Sequence, residues 1–473
     1  MTAERWPRVA SLRTPGALRK RLAALGLALP CDDAIETGAD APLARPLPLG
    51  GGLVAANRFA IQPMEGWDGT RDGLPSELTE RRWRRFGASG AGWIWGGEAV
   101  AVRPDGRANP HQLVASEAAI GPLAKLREVL LREARGAGRA APVVGLQLTH
   151  SGRWSIPDPG ARRPRVAVRH ALLDARVGIT DDAPVLRDDE GVALGADFAR
   201  AAAIADRAGF DFVDVKHCHG YLLHEFLGAR TRAGRWGGPS LADRTRLAFA
   251  VLDAVRAAAP RLAIGVRLSA FDVAPHRRDA SGRAAAEPLD PSVPFGFGLG
   301  DREEPIAFVR QLVARGVGWI NVTSSSPYYA PHVQRPALFP PSDGYPPPED
   351  PLAGVVRLLE AARAIKRAVP DAIVVSSGWT YLQEFIPHVA QAVLRDGWCD
   401  AVGLGRMALS YPELPADALA GRPLARAKLC RTFSDCTTAP RNGLVSGCYP
   451  LDPFYRERPE RAALDAAKRS ASG

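Results

Sequence analysis

The stretch Gly209-Phe-Asp-Phe-Val-Asp-Val215 recurs in kind as Gly316-Val-Gly-Trp-Ile-Asn-Val322 and Gly397-Trp-Cys-Asp-Ala-Val-Gly-Leu404, with a looser copy at Gly92-Trp-Ile-Trp95. In each, a glycine ends one element and a short apolar run follows almost at once. Elsewhere apolar residues fall at helical spacing. Leu247, Ala248, Val251, Leu252 and Val255 share one helical face; Ser240 is placed to cap that helix and Pro260 to stop it. Leu352, Val355, Val356, Leu359 and Ala362 repeat the pattern, ahead of Pro370 and the apolar run Ala372–Val375. Apolar runs that lack a period of two are buried on both faces, as parallel strands are. Strands alternating with helices imply right-handed βαβ units.

Eight such strands are expected: Arg58–Gln62, Trp93–Gly96, Val143–Leu148, Phe212–Lys216, Ile264–Leu268, Trp319–Val322, Ile373–Ser376 and Ala401–Leu404. Eight units favour a closed barrel over an open doubly wound sheet. The expected class is therefore α/β, a (β/α)8 TIM barrel with long catalytic-face loops and N- and C-terminal extensions. The barrel is assigned to residues 57–428, the extensions to 1–56 and 429–473. Within the first extension, Pro15–Leu27 reads as a helix. Three stretches rich in Pro, Gly and charge, Arg153–Glu190, Ala270–Glu304 and Ser324–Asp350, each follow a strand and so belong on the catalytic face. At about 150 residues per domain, 473 residues suggest three domains. Setting the three loops aside leaves a barrel near the ~250 residues typical of the fold.

Composition supports a folded, water-facing chain. Apolar residues make up 46% and charged residues 24%, which excludes a disordered, collagen-like or disulfide-stapled chain. The net charge of +10 is spread over scattered arginines, densest at Arg81, Arg82, Arg84 and Arg85. That pattern suits an enzyme handling phosphorylated cofactors better than a nucleic-acid surface. No run approaches the ~18 apolar residues of a membrane span, and Met1–Pro15 lacks the form of a signal peptide. Six cysteines with no close CxxC pair fit a reducing cytoplasm.

In a barrel the chemistry sits where strands end. Those ends carry Gln147, Lys216, His219, Arg267 and Arg406. Ser377-Gly378 and Gly405-Arg406 follow the last two strands, where glycine amides and an arginine fork can hold a phosphate. Gly403-Leu-Gly405-Arg-Met-Ala408 also fits a dinucleotide fingerprint, but Pro412 and Pro415 leave no room for the rest of that fold. The densest cluster is Asp214-Val-Lys216-His217-Cys218-His219-Gly220-Tyr221. A metal reading of His217, Cys218 and His219 is open, but adjacent strand residues point to opposite faces, and no metal is expected. A Schiff-base reading of Lys216, as in a lyase or aldolase, stays open as the alternative.

Taken in order, these pieces resemble the old yellow enzyme family of FMN-dependent NADH:flavin oxidoreductases. Asn57-Arg-Phe-Ala-Ile-Gln-Pro63-Met64 is similar to that family's first strand and Trp93-Ile-Trp-Gly-Gly-Glu98-Ala99 to its second. Leu146-Gln147-Leu-Thr-His150-Ser-Gly152-Arg153 resembles the third, with its pattern Gln-Leu-x-His-x-Gly-Arg. Lys216-His-Cys-His219-Gly220-Tyr221, then Arg235-Trp-Gly237-Gly238-Pro-Ser240, resembles the fourth and its loop. Gly265-Val-Arg267-Leu-Ser, Ser377-Gly378 and Gly403-Leu-Gly405-Arg406 complete the series, over roughly residues 45 to 415. The resemblance implies FMN across the barrel mouth, with NADH or NADPH as reductant. It places Pro63, Met64, Ala99 and Gln147 at the flavin ring, Arg267 at its N1/O2 edge, and Gly378, Gly405 and Arg406 at the phosphate. It implies reduction of an activated C=C bond conjugated to a carbonyl, or the reverse desaturation. Lys216 and His219 would anchor the carbonyl, and Tyr221 would protonate the α-carbon. The expected partner is a small-molecule substrate, with no nucleic acid or membrane; a homo-oligomer stays open.

Two departures from that pattern stand out. Lys216 replaces the usual histidine, and its charge favours a more anionic acceptor. Glu65 follows Pro63-Met64 where the family carries a small or thiol side chain facing the flavin. In the tail, Cys436 and Cys448 keep the x11 interval of the iron–sulfur motif of larger members. Cys430 is misplaced for that motif, and four thiolates are needed, so no cluster is expected.

Overall fold

The computed structural model describes residues 6–288 and 296–470. The expected loop Ala270–Glu304 therefore lies partly outside the described residues. Eight parallel strands close a barrel: β1 (Phe59–Ile61), β2 (Trp93–Ile94, resuming at Ala99–Ala101), β3 (Val143–Thr149), β4 (Phe212–Val215), β5 (Ala263–Ser269), β6 (Trp319–Thr323), β7 (Ile373–Ser376) and β8 (Ala401–Leu404). Neighbours in sequence are neighbours in the sheet, and β8 closes on β1 through Val402↔Phe59 and Leu404↔Ile61. All eight expected strands are barrel strands.

Long helices form the outer ring: α1 (Glu77–Gly87), α2 (Ile120–Gly136), α3 (Asp188–Arg207), α4 (Leu241–Ala258), α5 (Glu303–Ala314), α6 (Pro351–Ala368) and α7 (Ile386–Arg395), with the short α8 (Leu414–Leu419) after β8. Ser240 caps α4 by accepting from the Asp243 amide, as its position in the sequence requires. The expected apolar faces of α4 and α6 are buried against the barrel. The N-terminal helix runs Pro15–Ala24, shorter than the expected Pro15–Leu27, and Leu25 forms its C-cap.

One end of the barrel is filled with aromatics. Trp93, Trp95, Phe212 and Trp319 meet mostly edge to face, with centroids 4.7–5.8 Å apart. Glycine makes the room: a Cβ on Gly145 would stand 2.2 Å from the Phe212 ring. The hairpin Leu47–Gly50/Leu53–Ala55 joins this cluster, and Trp319 Nε1 donates to Leu49 O at 2.8 Å.

The arginine run that might have marked a nucleic-acid surface is spent on ion pairs. Arg82 is buried between Asp68 and Glu98, Arg81 and Arg85 hold Asp452, and Arg84 pairs with Glu80 and Glu133. Arg81 and Arg85 thereby tie the C-terminal segment to α1. No described helix is long and apolar enough to cross a membrane.

Trp319→Ala would open a cavity among three other rings and leave Leu49 O without its donor. The expected loss of stability is about 3–5 kcal/mol, read from urea unfolding midpoints.

Candidate active site

The opposite end of the barrel opens into a cavity of about 250 Å³. The last two strands supply one side. Gly378, after β7, has φ +98°, a region that disfavours any side chain. A Cβ on Gly403 would lie 2.6 Å from Ser376 O and 1.8 Å from Gln62 Nε2, so glycine lets β8 pass close beside β7 with the Gln62 amide against it. Arg406 follows, with Nη2 donating to Pro336 O at 2.9 Å. Arg406 Nη1, Arg335 Nη2 and Arg267 Nε are all buried and have no hydrogen-bond partner among the described residues. Buried donors normally find acceptors, and these three arginines all line the one cavity, which suits an anion or another acceptor-rich group.

Below the mouth, β1 and β6 are joined by a reciprocal amide pair. Gln62 Nε2 donates to Asn321 Oδ1 at 3.1 Å, and Asn321 Nδ2 to Gln62 Oε1 at 2.7 Å. Asp214 on β4 gathers three donors: Trp95 Nε1 at 2.8 Å, Gln147 Nε2 at 2.5 Å and the Arg267 amide at 2.7 Å. Burial still pushes its carboxyl up to about 6, against the pull of those bonds. Asp214 thus fixes the side chain of Gln147 and the backbone of Arg267 at one height. Ala99 pairs with Gln147 in register across β2 and β3.

The cluster after β4 turns sharply. His219 (φ +67°) and Gly220 (φ +75°) are both left-handed, which swings Tyr221 back toward β1. His219 Nε2 meets Thr323 Oγ1 at 3.2 Å and Gln334 Nε2 at 3.1 Å. Burial, followed by the charge of Arg267 and Lys216, holds His219 well below its ordinary value, so it is neutral. The Tyr221 hydroxyl hydrogen-bonds Glu65 Oε2 and lies 3.1 Å from the Tyr328 hydroxyl. Burial, then Glu65, raises Tyr221 well above its usual value, so it stays a phenol. Lys216 Nζ stands 3.6 Å over the Tyr221 ring. Burial lowers its pKa against the opposing attraction of Glu65.

Pro63, Met64, His219, Arg267, Gly378, Gly405 and Arg406 line the cavity itself. Ala99, Gln147, Lys216 and Tyr221 stand outside that lining, and Tyr221 joins it through Glu65. His217 faces away, its Nδ1 on Val215 O at 2.9 Å and its ring near Phe308 of α5. Sequence reasoning missed several cavity residues: Gln62, Thr323, Gln334 and Arg335, and the tail residues Cys436, Thr437 and Ser446. The position of Gln62 at the end of an expected strand, and of Gln334 and Arg335 in a loop expected on the catalytic face, could have pointed to those three. Arg335 Nη1 donates to Thr437 Oγ1 at 2.5 Å, which binds that loop to the tail.

A parallel barrel with glycines and a partly unpaired arginine after its last two strands has the form of the barrels that bind a phosphate at that place. Comparison with known proteins carries this further. Residues 42–287, just over half of the chain, match the model of the NADH:flavin oxidoreductase / NADH oxidase family, and the chain belongs to that family. 12-Oxophytodienoate reductase 1 of Oryza sativa subsp. japonica is 39% identical over 131 residues, 27% of this chain and 34% of that protein. The match thus spans about a third of the rice relative's length. An NADH:flavin oxidoreductase of Gibberella zeae is 27% identical over 335 residues, 67% of this chain and 71% of its own. The solved structure of the old yellow enzyme homologue from Zymomonas mobilis superposes with a TM-score of 0.57 at 22% identity, covering 81% of this chain and 94% of that one. At that identity it shows the shared fold.

Asp214→Ala would strand Gln147 Nε2, Trp95 Nε1 and the Arg267 amide together. At about 1–3 kcal/mol per buried unsatisfied donor, the expected loss is at least about 3 kcal/mol in chemical unfolding.

Proposed function

We propose that this protein is an FMN-dependent oxidoreductase of old yellow enzyme type, reduced by NADH or NADPH. It would reduce a C=C bond conjugated to a carbonyl, or run the reverse desaturation. One observation carries the reading: the orphaned arginine donors and the Lys216–His219–Tyr221–Glu65 group converge on one barrel mouth.

The residues present fit FMN. Gly378, Gly405 and Arg406 would take its phosphate, with Arg335 beside them. Arg267 would face the N1/O2 edge, where positive charge favours the reduced, anionic ring. Pro63, Met64, Ala99 and Gln147 would bound the ring. Bound FMN supplies hydride exchange, from nicotinamide to substrate; the protein orients and tunes it.

The chain's own side chains would do the rest. His219, neutral and held by Thr323 and Gln334, donates to the substrate carbonyl. Lys216 takes the position of the first anchor. Among the described residues its ammonium makes the contact with Tyr221 and no hydrogen bond or ion pair, so its donors are free for a substrate oxygen. Tyr221, a phenol at any working pH, protonates the α-carbon. Residues 57–428 would form the FMN-binding unit, with the tail closing its mouth. Family membership lends the Schiff-base alternative at Lys216 no support.

The test begins with the visible spectrum of purified protein, then anaerobic bleaching by NADH and by NADPH and reoxidation by a panel of enones. Colourless protein that takes up no supplied FMN would end this reading. Arg406→Ala is expected to weaken FMN binding about 10- to 100-fold in fluorescence titrations, the worth of a charge-assisted hydrogen bond. Tyr221→Phe is expected to spare flavin reduction and to slow reoxidation by ~10²–10⁴-fold. An unchanged reoxidation rate would remove Tyr221 from the role.

A further inference from the structure

The Tyr221–Glu65 contact bears on how the proton is supplied. A single hydrogen lies between the two oxygens. If Glu65 is a carboxylate, that hydrogen is the phenol's own, and it points away from substrate. If Glu65 is protonated, the acid donates to the phenol oxygen, and the phenol hydrogen is free for the cavity. The surroundings of Glu65 favour the second arrangement. Its Oε1 is buried and has no hydrogen-bond partner among the described residues. By contrast the buried Glu225 has both oxygens engaged, by Arg153 Nε at 2.6 Å and the Ala167 amide at 3.0 Å.

The charges around Glu65 do not supply what it lacks. Lys216 acts on it only through space, with no ion pair between them within 4 Å. Tyr221 and Tyr328 are the phenols that face it. On its other side Arg82 is committed to Asp68 and Glu98, and Arg81 and Arg85 to Asp452. A buried carboxylate with one hydrogen bond and no ion pair is costly, and the neutral acid is the cheap form. Burial accordingly raises the Glu65 pKa, against the opposing pulls of Lys216 and Tyr221.

We propose that Glu65 is the proton reservoir of Tyr221, giving a proton to the phenol as the phenol gives one to substrate carbon. The proposal rests on the alkene-reduction reading above. In the forward direction bound, reduced FMN would supply the hydride that the β-carbon takes, and the alkene's electron pair moves to the α-carbon. The Tyr221 O–H bond breaks as the α C–H bond forms, and the Glu65 O–H bond breaks as the phenol is restored. Glu65 is left as a carboxylate and is reprotonated from the cavity it lines. In desaturation every bond change reverses, and the same residue must start ionised. Glu65 is a positioning residue that acts through Tyr221, and its protonation state sets the direction the site favours. The sign follows: alkene reduction is lost as pH rises through the Glu65 pKa, while desaturation is gained.

Two measurements on the purified holoprotein test this. The first is the infrared carbonyl stretch of a protonated acid, followed against pH in wild type and in Glu65→Gln. A band at neutral pH that vanishes in Glu65→Gln is expected; its absence from wild type would overturn the proposal, whatever the substrate. The second is anaerobic reoxidation of the reduced flavin by an enone across pH. Wild type and Glu65→Asp are expected to lose rate on the alkaline side, about tenfold per pH unit beyond the pKa. Glu65→Gln is expected to be slowed about 10²-fold and to show no such limb. A Glu65→Gln protein that keeps the wild-type rate and limb would also overturn the proposal. If no enone reoxidises a flavin that NAD(P)H has reduced, alkene reduction falls as the reaction; the infrared band then still supports a neutral Glu65 paired with Tyr221.

Discussion

The barrel depends on a packing constraint at its closed end. Four large rings, Trp93, Trp95, Phe212 and Trp319, occupy one layer inside eight strands, and they fit because Gly145 and Gly265 face them. A Cβ on Gly265 would stand 3.0 Å from the Trp95 ring, and one on Gly145 would enter the Phe212 ring. With that layer filled and capped by the Leu47–Ala55 hairpin, the other end is free to be polar and open. Asp214 joins the two halves, since it holds an indole of the aromatic layer on one side and Gln147 and Arg267 of the site on the other.

The upper half is organised by unequal spending of charge. Arg81, Arg82, Arg84 and Arg85 of α1 are paired with carboxylates at short range. Those at the mouth are not: Arg267, Arg335 and Arg406 each keep a buried nitrogen without a partner. Arg335 is pushed down to about 9 by burial and then by the charge of Arg441 and Arg406. Like charges held together at this cost are usual where a ligand supplies the missing anion. The same logic applies with opposite sign at Glu65, a carboxyl with one hydrogen bond.

The barrel was legible because its strands are buried on both faces and its helices on one, so each leaves a periodic mark. Leu352, Val355, Val356, Leu359 and Ala362 announce α6 without any knowledge of what they touch. The break inside β2 was not legible. It falls at Gly96-Gly97, where Gly97 (φ +42°) passes over Trp83, and two glycines in a strand do not say which way the chain turns. Motif order marked the residues proposed for cofactor and substrate, from Pro63 to Arg406. The pairing of Glu65 with Tyr221 spans 156 positions, and nothing periodic connects them. Gln334, Arg335 and the tail were hidden for the same reason. Loops carry no repeat, and their place is set by single contacts such as Arg335 to Thr437.

That last contact has a consequence for the order of synthesis. The first barrel strand finds its closing partner only at Ala401–Leu404, and Cys436, Thr437 and Ser446 reach the cavity later still. A chain emerging from the ribosome N-terminus first therefore exposes β1 with one edge open until Ala401–Leu404 has been made. The mouth is the last part to acquire its walls. Completion of the cavity is then tied to synthesis of Cys436, Thr437 and Ser446, and a nascent barrel holds its aromatic base well before it holds that rim.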